Sequence, residues 1–182
     1  MKKRITAKEL FSIPNLMSYF RLVMIPVFCH LYLNAKYRTA AGALLLSSIT
    51  DFLDGKVARR FHMVTDLGKA LDPVADKLTH AAVAFCLATR YPLMWALIIL
   101  MAVKEGYMAV VGILRLRKNQ IEGAQMPGKV CTAELFVMLL VLVLFPELPL
   151  AAVNGLIVVS MCLMAATLVY YIQYHHKNAK TA

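Results

Sequence analysis

The sequence predicts an all-α integral membrane protein with six transmembrane helices and a short N-terminal helix at the membrane surface. Hydrophobic residues make up 60% of the 182 residues and charged residues only 16%, and the mean hydropathy is +0.66. These values lie outside the usual range of soluble domains. The charged residues are clustered, and the apolar segments between them reach the length of about 20 residues that a membrane-spanning helix needs.

Six segments meet this requirement, and we expect each to form one helix. Breaks such as Pro146-Glu147-Leu148-Pro149 separate them. The second and third segments are the least apolar, because acidic residues lie at their facing ends. The predicted segments are 13–33, 38–62, 69–89, 92–116, 130–146 and 150–174.

The first dozen residues combine an apolar face with a basic one, which is typical of an amphipathic helix in the membrane interface. We therefore expect an interfacial helix over residues 1–12 and a single six-helix transmembrane domain over residues 13–182.

The net charge of +10 has a topological explanation. If all six helices span the membrane, seventeen of the twenty lysines and arginines lie on the same side as the N-terminus. Only Lys36, Arg38 and Arg90 lie on the opposite side. Cytoplasmic loops are enriched in these residues, so we expect the N-terminal side to face the cytoplasm, in a bacterial cytoplasmic membrane. The charge also suits anionic lipid headgroups, and no nucleic-acid partner is expected.

Five of the ten acidic residues lie between positions 51 and 76, at the predicted cytoplasmic edge. Carboxylates near lipid are costly and usually functional. Asp51 and Asp54 are three residues apart, and Asp72 and Asp76 are four apart, so each pair lies on one face of its helix. Four converging carboxylates need cations between them. Oxygen ligands favour Mg²⁺ or Mn²⁺, and the ligand count suits two ions.

Small residues and an arginine accompany these carboxylates. Gly55 and Ala58 have little or no side chain, so a ligand can approach the helix backbone beside Asp54. Gly68 has the same effect on the next helix. The Arg59 guanidinium can bind two phosphate oxygens at once. Small residues alone could simply permit close helix packing. Their combination with the carboxylates predicts a metal-dependent site for a diphosphate.

The complete pattern from Asp51 to Asp76, DxxDGxxARx8GxxxDxxxD, resembles the signature of the CDP-alcohol phosphatidyltransferase family at every position. Pro14-Asn15, Ser18 and Arg21 are similar to the family's Pro-Asn-x-x-Thr/Ser-x-x-Arg opening. The resemblance implies an enzyme of phospholipid biosynthesis that transfers the phosphatidyl group of CDP-diacylglycerol to an alcohol and releases CMP. It also implies a homodimer.

The resemblance further implies roles for individual residues. Asp76 would be the general base that deprotonates the acceptor hydroxyl. The metal ligands would be Asp51, Asp54, Asp72 and Asp76. The cytidine diphosphate would be held by Asn15, Asp54, Gly55, Ala58, Arg59 and Gly68.

Residues 104–132 bear on which alcohol is the acceptor. Members of the family that resemble phosphatidylglycerophosphate synthases carry an Arg-Glu pair and a Gly-Lys-x-Lys-Thr stretch, where this chain has Lys104-Glu105 and Gly128-Lys129-Val130-Cys131-Thr132. Cys131 replaces a lysine, which weakens the case for glycerol-3-phosphate without excluding it. Glycerol-3-phosphate stays the favoured acceptor, and phosphatidylglycerol, the acceptor of CDP-alcohol-type cardiolipin synthases, is the alternative. The candidate acceptor-binding residues are Arg21, Lys104, Arg115 and Lys129.

Two other classes of membrane protein are alternatives. A divalent-cation transporter could use the acidic residues to line an ion path, although they would then be expected near the bilayer midplane. Intramembrane prenyltransferases also use paired DxxD motifs, but their bundles need more helices than this chain supplies.

Overall fold

The computed structural model describes the backbone of residues 13–60, 66–117 and 126–180, and the side chains of residues 15–50, 71–114 and 126–176. Each predicted segment overlaps one described helix, and the all-α fold class is confirmed over the described residues. The predicted interfacial helix, residues 1–12, lies outside the described residues. The described helices are α1 (Ile13–Leu33), α2 (Tyr37–Arg60), α3 (Asp66–Ala88), α4 (Met94–Arg117), α5 (Met126–Leu144) and α6 (Leu150–Lys180).

Four of the described helices are long and apolar enough to cross a membrane. They are α1, α4, α5 and α6, over Asn15–Leu33, Met94–Leu114, Met126–Leu144 and Leu150–His176. The chain is thus a multi-pass membrane protein by the length and composition of these helices. The remaining two helices, α2 and α3, carry the acidic stretch, and their crossing of the membrane stays a prediction.

The outer surface of the spanning helices is apolar. Ile99 is 63% exposed, Val103 is 55% exposed and Val159 is 59% exposed. Apolar surface of this extent would promote association in water. In a bilayer the same side chains contact lipid tails, which agrees with the predicted membrane location.

The chain divides into two compact units, Met1–Cys86 and Leu87–Ala182. In the first unit α1 packs along α2, and in the second unit α4 and α5 each pack against α6. The interior of the second unit is built from large aliphatic side chains of α5 and α6, among them Leu139, Leu142 and Ile157, which are at most 1% exposed.

The turn between α1 and α2 reverses the chain so that the two helices can pack together. The Ala35 N–H donates to the Tyr32 carbonyl at 3.0 Å, and the Lys36 N–H donates to the Leu31 carbonyl at 3.0 Å. This is the hydrogen-bond pattern of a Schellman motif. Ala35 has a φ of 58°, a left-handed conformation that glycine adopts at much lower cost.

Candidate active site

The acidic motif lies on two consecutive helices, as its spacing predicts. Asp51 and Asp54 belong to α2, and Asp72 and Asp76 belong to α3. The helical backbone puts each pair on one face of its helix. The side chains of Asp51, Asp54, Gly55, Ala58, Arg59 and Gly68 lie outside the described side chains, so the convergence of the two pairs stays a prediction.

The Asp72 carboxylate is bound by two side chains of α1. Both the Ser18 hydroxyl and the Arg21 guanidinium donate hydrogen bonds to its Oδ1 atom, and the Arg21 Nη2 lies 3.2 Å from that oxygen. Ser18 is 0% exposed and Arg21 is 3% exposed, whereas the Asp72 side chain is 40% exposed. The Oδ1 atom is therefore held by buried donors, while part of the Asp72 side chain stays accessible to a ligand.

These donors belong to a polar face of α1. Asn15, Ser18 and Arg21 follow one another at intervals of three residues and are all buried, which places them on the same side of the helix. The structure thus brings Arg21, predicted to bind the acceptor, into contact with a predicted metal ligand. The nucleotide-binding role predicted for Asn15 and the acceptor role predicted for Arg21 stay predictions.

Asp76, the predicted general base, has a histidine one helical turn further along. The His80 Nε2 lies 3.9 Å from the Asp76 Oδ1, and His80 is 6% exposed. The Asp76 side chain is 42% exposed, so a substrate hydroxyl can reach it. His80 is not among the predicted site residues, although its i,i+4 spacing from Asp76 indicates that the two side chains are neighbours.

A shallow cleft that opens to the surface lies within the first unit, beside Arg21 of α1 and Thr79 of α3. Arg21 lies at its wall, and most other lining residues are apolar, including Met24, Phe28, Leu44 and Val83.

The predicted acceptor-binding residues other than Arg21 lie in the second unit. Lys104 on α4 is 5% exposed, and its Nζ lies 3.1 Å from the Glu105 Oε1. Lys129 is exposed in the first turn of α5. The side chain of Arg115 lies outside the described side chains. Cys131, which replaces a lysine of the family pattern, is 1% exposed, so a cation at this position would be buried.

Gly128, which precedes Lys129, is in close contact with Tyr171 of α6. A Cβ atom built on Gly128 would overlap the Tyr171 hydroxyl, and a hydrogen bond joins the Gly128 backbone to that hydroxyl. N–H groups in the first turn of a helix have no intrahelical acceptor, so the hydroxyl is well placed to accept from Gly128. The His175 ring stacks on Tyr171, with centroids 5.9 Å apart. No pattern in the sequence predicts this contact.

A carboxylate within the spanning helices is paired with a hydroxyl. The Ser160 hydroxyl of α6 donates to the Glu134 Oε1 of α5 at 2.6 Å, and Ser160 is 1% exposed. The bond links two helices in an otherwise apolar interior, where polar side chains serve as interhelical contacts.

The donor set of the acidic motif suits a hard divalent cation. Asp72 and Asp76 present carboxylate oxygens from one face of α3, and both side chains are partly accessible. Such oxygens are the ligands that Mg²⁺ and Mn²⁺ prefer. The described side chains contain no cluster of three ligating residues, and the other two predicted carboxylates lie outside them.

Comparison with known proteins identifies the family. The family model described as CDP-alcohol phosphatidyltransferase matches residues 11–173. A cardiolipin synthase (CMP-forming) from Streptomyces coelicolor is 34% identical over 139 residues, which cover 72% of this chain and 65% of the relative. A CDP-diacylglycerol–glycerol-3-phosphate 3-phosphatidyltransferase from Pseudomonas fluorescens is 37% identical over 123 residues, 66% of this chain and 62% of the relative. The Escherichia coli protein of the same name is 40% identical over 88 residues, 47% of this chain and 48% of the relative.

The chain thus spans less than two thirds of the length of each of these relatives. The family model, in contrast, covers nearly all of the chain and includes the complete acidic motif and the polar face of α1. The chain belongs to the CDP-alcohol phosphatidyltransferase family.

Proposed function

We propose that this protein transfers the phosphatidyl group of CDP-diacylglycerol to an alcohol and releases CMP, as a step of phospholipid biosynthesis. The observation that carries the proposal is the complete eight-position motif on two consecutive helices, α2 and α3. The family membership supports it, as do the names of the relatives, which describe CMP-forming and CDP-diacylglycerol-dependent enzymes.

The acidic motif would hold the divalent ion and the nucleotide. The predicted metal ligands Asp51, Asp54, Asp72 and Asp76 suit one or two Mg²⁺ or Mn²⁺ ions. A divalent ion held there supplies positive charge against the diphosphate and the leaving CMP. The cytidine diphosphate would contact Asn15, Asp54, Gly55, Ala58, Arg59 and Gly68.

Asp76 would act as the general base. It removes the proton of the acceptor hydroxyl, the oxygen attacks the β-phosphorus of CDP-diacylglycerol, and the bond to CMP breaks. The exposure of its carboxylate supports this role, because a base must come within hydrogen-bond distance of the proton that it removes. The remaining work of the site is positioning and charge stabilisation.

Glycerol-3-phosphate is the favoured acceptor. The candidates for binding its phosphate are Arg21, Lys104, Arg115 and Lys129. The similarity to a protein named cardiolipin synthase favours phosphatidylglycerol as the second candidate. The replacement of the family's lysine by Cys131 also weakens the case for glycerol-3-phosphate.

We further infer a six-span topology in which α2 and α3 also cross the membrane. The acidic motif then faces the cytoplasm of a bacterial cell, so that lipid enters sideways and CMP leaves to water. The active form would be a homodimer. The distribution of lysine and arginine supports this orientation.

The test is an acceptor panel with the purified full-length chain in vesicles. Labelled CDP-diacylglycerol and Mg²⁺ are supplied with glycerol-3-phosphate, phosphatidylglycerol, inositol phosphate or serine, and the lipid products are separated by chromatography. We expect CMP and one new phospholipid, and loss of both when the ions are chelated. The proposal fails if no acceptor yields CMP while the Escherichia coli relative, treated identically, is active. Metal flux without lipid substrate would favour a transporter.

A further inference from the structure

The Asp72 carboxylate is held asymmetrically, which the sequence pattern of the acidic motif does not indicate. Ser18 and Arg21 both donate to the same oxygen, Oδ1. A carboxylate oxygen has two lone pairs, so two donors occupy the hydrogen-bonding capacity of Oδ1. The other oxygen, Oδ2, receives no hydrogen bond from the described residues. The contacts therefore leave one defined oxygen for a ligand.

The two donors are buried more deeply than the carboxylate that they contact. Ser18 is 0% exposed and Arg21 is 3% exposed, whereas 40% of the Asp72 side chain is exposed. A buried guanidinium is costly unless it is paired and hydrogen-bonded. Here the buried partners hold the carboxylate from within the protein while its free edge stays accessible.

We propose that Ser18 and Arg21 are positioning residues that orient Asp72, so that its Oδ2 is presented to the divalent ion of the diphosphate site. The proposal rests on the proposed function, because that function requires an ion at the acidic motif. It gives Arg21 a role through Asp72, in place of a direct contact with the acceptor. Hydrogen bonds to the ligands of a metal commonly change its affinity by about 10- to 100-fold.

The test measures Mn²⁺ binding to the full-length protein in detergent, by electron paramagnetic resonance and without substrate. Ser18→Ala and Arg21→Gln are each expected to weaken Mn²⁺ binding by about tenfold or more. Arg21→Lys keeps the charge and one donor, so its affinity is expected to lie between those of Arg21→Gln and the parent protein. Asp72→Asn serves as the reference for loss of the ligand.

Two matched substitutions control for the loss of a hydroxyl or a guanidinium. Ser48→Ala removes a hydroxyl that donates to the Leu44 carbonyl of its own helix, at 2.9 Å, and Arg38→Gln removes an exposed cation at the start of α2. Both are expected to bind Mn²⁺ like the parent protein. Circular dichroism checks the helix content of every variant, and Ser18→Ala keeps the test informative if Arg21→Gln does not fold.

Activity then separates positioning from acceptor binding. If the two residues position Asp72, the Ser18→Ala and Arg21→Gln variants release CMP more slowly than the parent protein. Their rate then recovers as the Mn²⁺ concentration is raised, and their KM for the acceptor is unchanged. Parent-like Mn²⁺ affinity in Ser18→Ala and Arg21→Gln overturns the inference, as does a change confined to the KM of the acceptor. A further outcome is that the parent protein binds Mn²⁺, and the two variants bind it more weakly as expected, while the parent protein releases no CMP. In that case the proposed function fails and the inference about Asp72 stands. If the parent protein binds no Mn²⁺, the inference is wrong.

Discussion

Replacement of Gly128 by alanine is expected to destabilise the protein through one contact. The added Cβ would overlap the Tyr171 hydroxyl and lie 3.3 Å from its Cζ. Tyr171 is 4% exposed, so its ring has little room to move. Such overpacking costs about 1–3 kcal/mol, and the higher helix propensity of alanine offsets at most about 1 kcal/mol of it. After the full offset, the expected net loss in the free energy of unfolding is up to about 2 kcal/mol.

The Tyr171→Phe background isolates this contact. The substitution removes the overlapping oxygen and its hydrogen bond to the Gly128 backbone, at a cost of about 0.5–1.5 kcal/mol. Gly128→Ala then meets two ring carbons, Cζ at 3.3 Å and Cε2 at 3.5 Å, and it should cost much less than in the parent protein. The coupling energy of the two substitutions is expected to be about 1–3 kcal/mol, above the ~0.5 kcal/mol within which independent sites are additive.

The assay is unfolding of the detergent-solubilised protein in sodium dodecyl sulfate, followed by circular dichroism. Gly155→Ala on α6 is the matched control, because an added Cβ there has no atom within 4 Å, and it should stabilise the helix by at most about 1 kcal/mol. An equal cost of Gly128→Ala in the parent and Tyr171→Phe backgrounds would refute the steric argument.

Three further predictions use the same preparation. Ala35→Gly should raise the free energy of unfolding by about 1 kcal/mol, because glycine adopts the left-handed conformation without the Cβ penalty; a decrease would contradict the Schellman assignment. Ser160→Ala should lower the free energy of unfolding by about 1–3 kcal/mol, because the Glu134 carboxylate loses its donor in the interior, and Glu134→Gln, which keeps an acceptor, should cost less. Asp76→Asn should abolish CMP release and leave the binding of CDP-diacylglycerol within a few-fold of the parent value; near-normal turnover would exclude Asp76 as the base.

The helices and the acidic motif could be predicted from the sequence because both are local properties. Hydropathy over a window locates α1, α4, α5 and α6, and residue spacing along a helix decides which carboxylates share a face. The same local pattern left His80 unnoticed, because a histidine one turn from an aspartate has no motif of its own. The membrane crossing of α2 and α3 stays a prediction, since the carboxylates that mark the site also lower the hydropathy of these helices.

The contacts between distant residues were decided only by the tertiary structure. Ser18 and Arg21 bind a carboxylate that lies 54 and 51 positions away, and Tyr171 closes over Gly128 from another helix. In a soluble protein, apolar periodicity would indicate which helix faces meet. In lipid both the interior and the outer surface are apolar, as buried Ile157 and exposed Val159 illustrate. The sequence by itself therefore determined the family, the helices and the acidic motif, and helix packing determined which side chains support that motif.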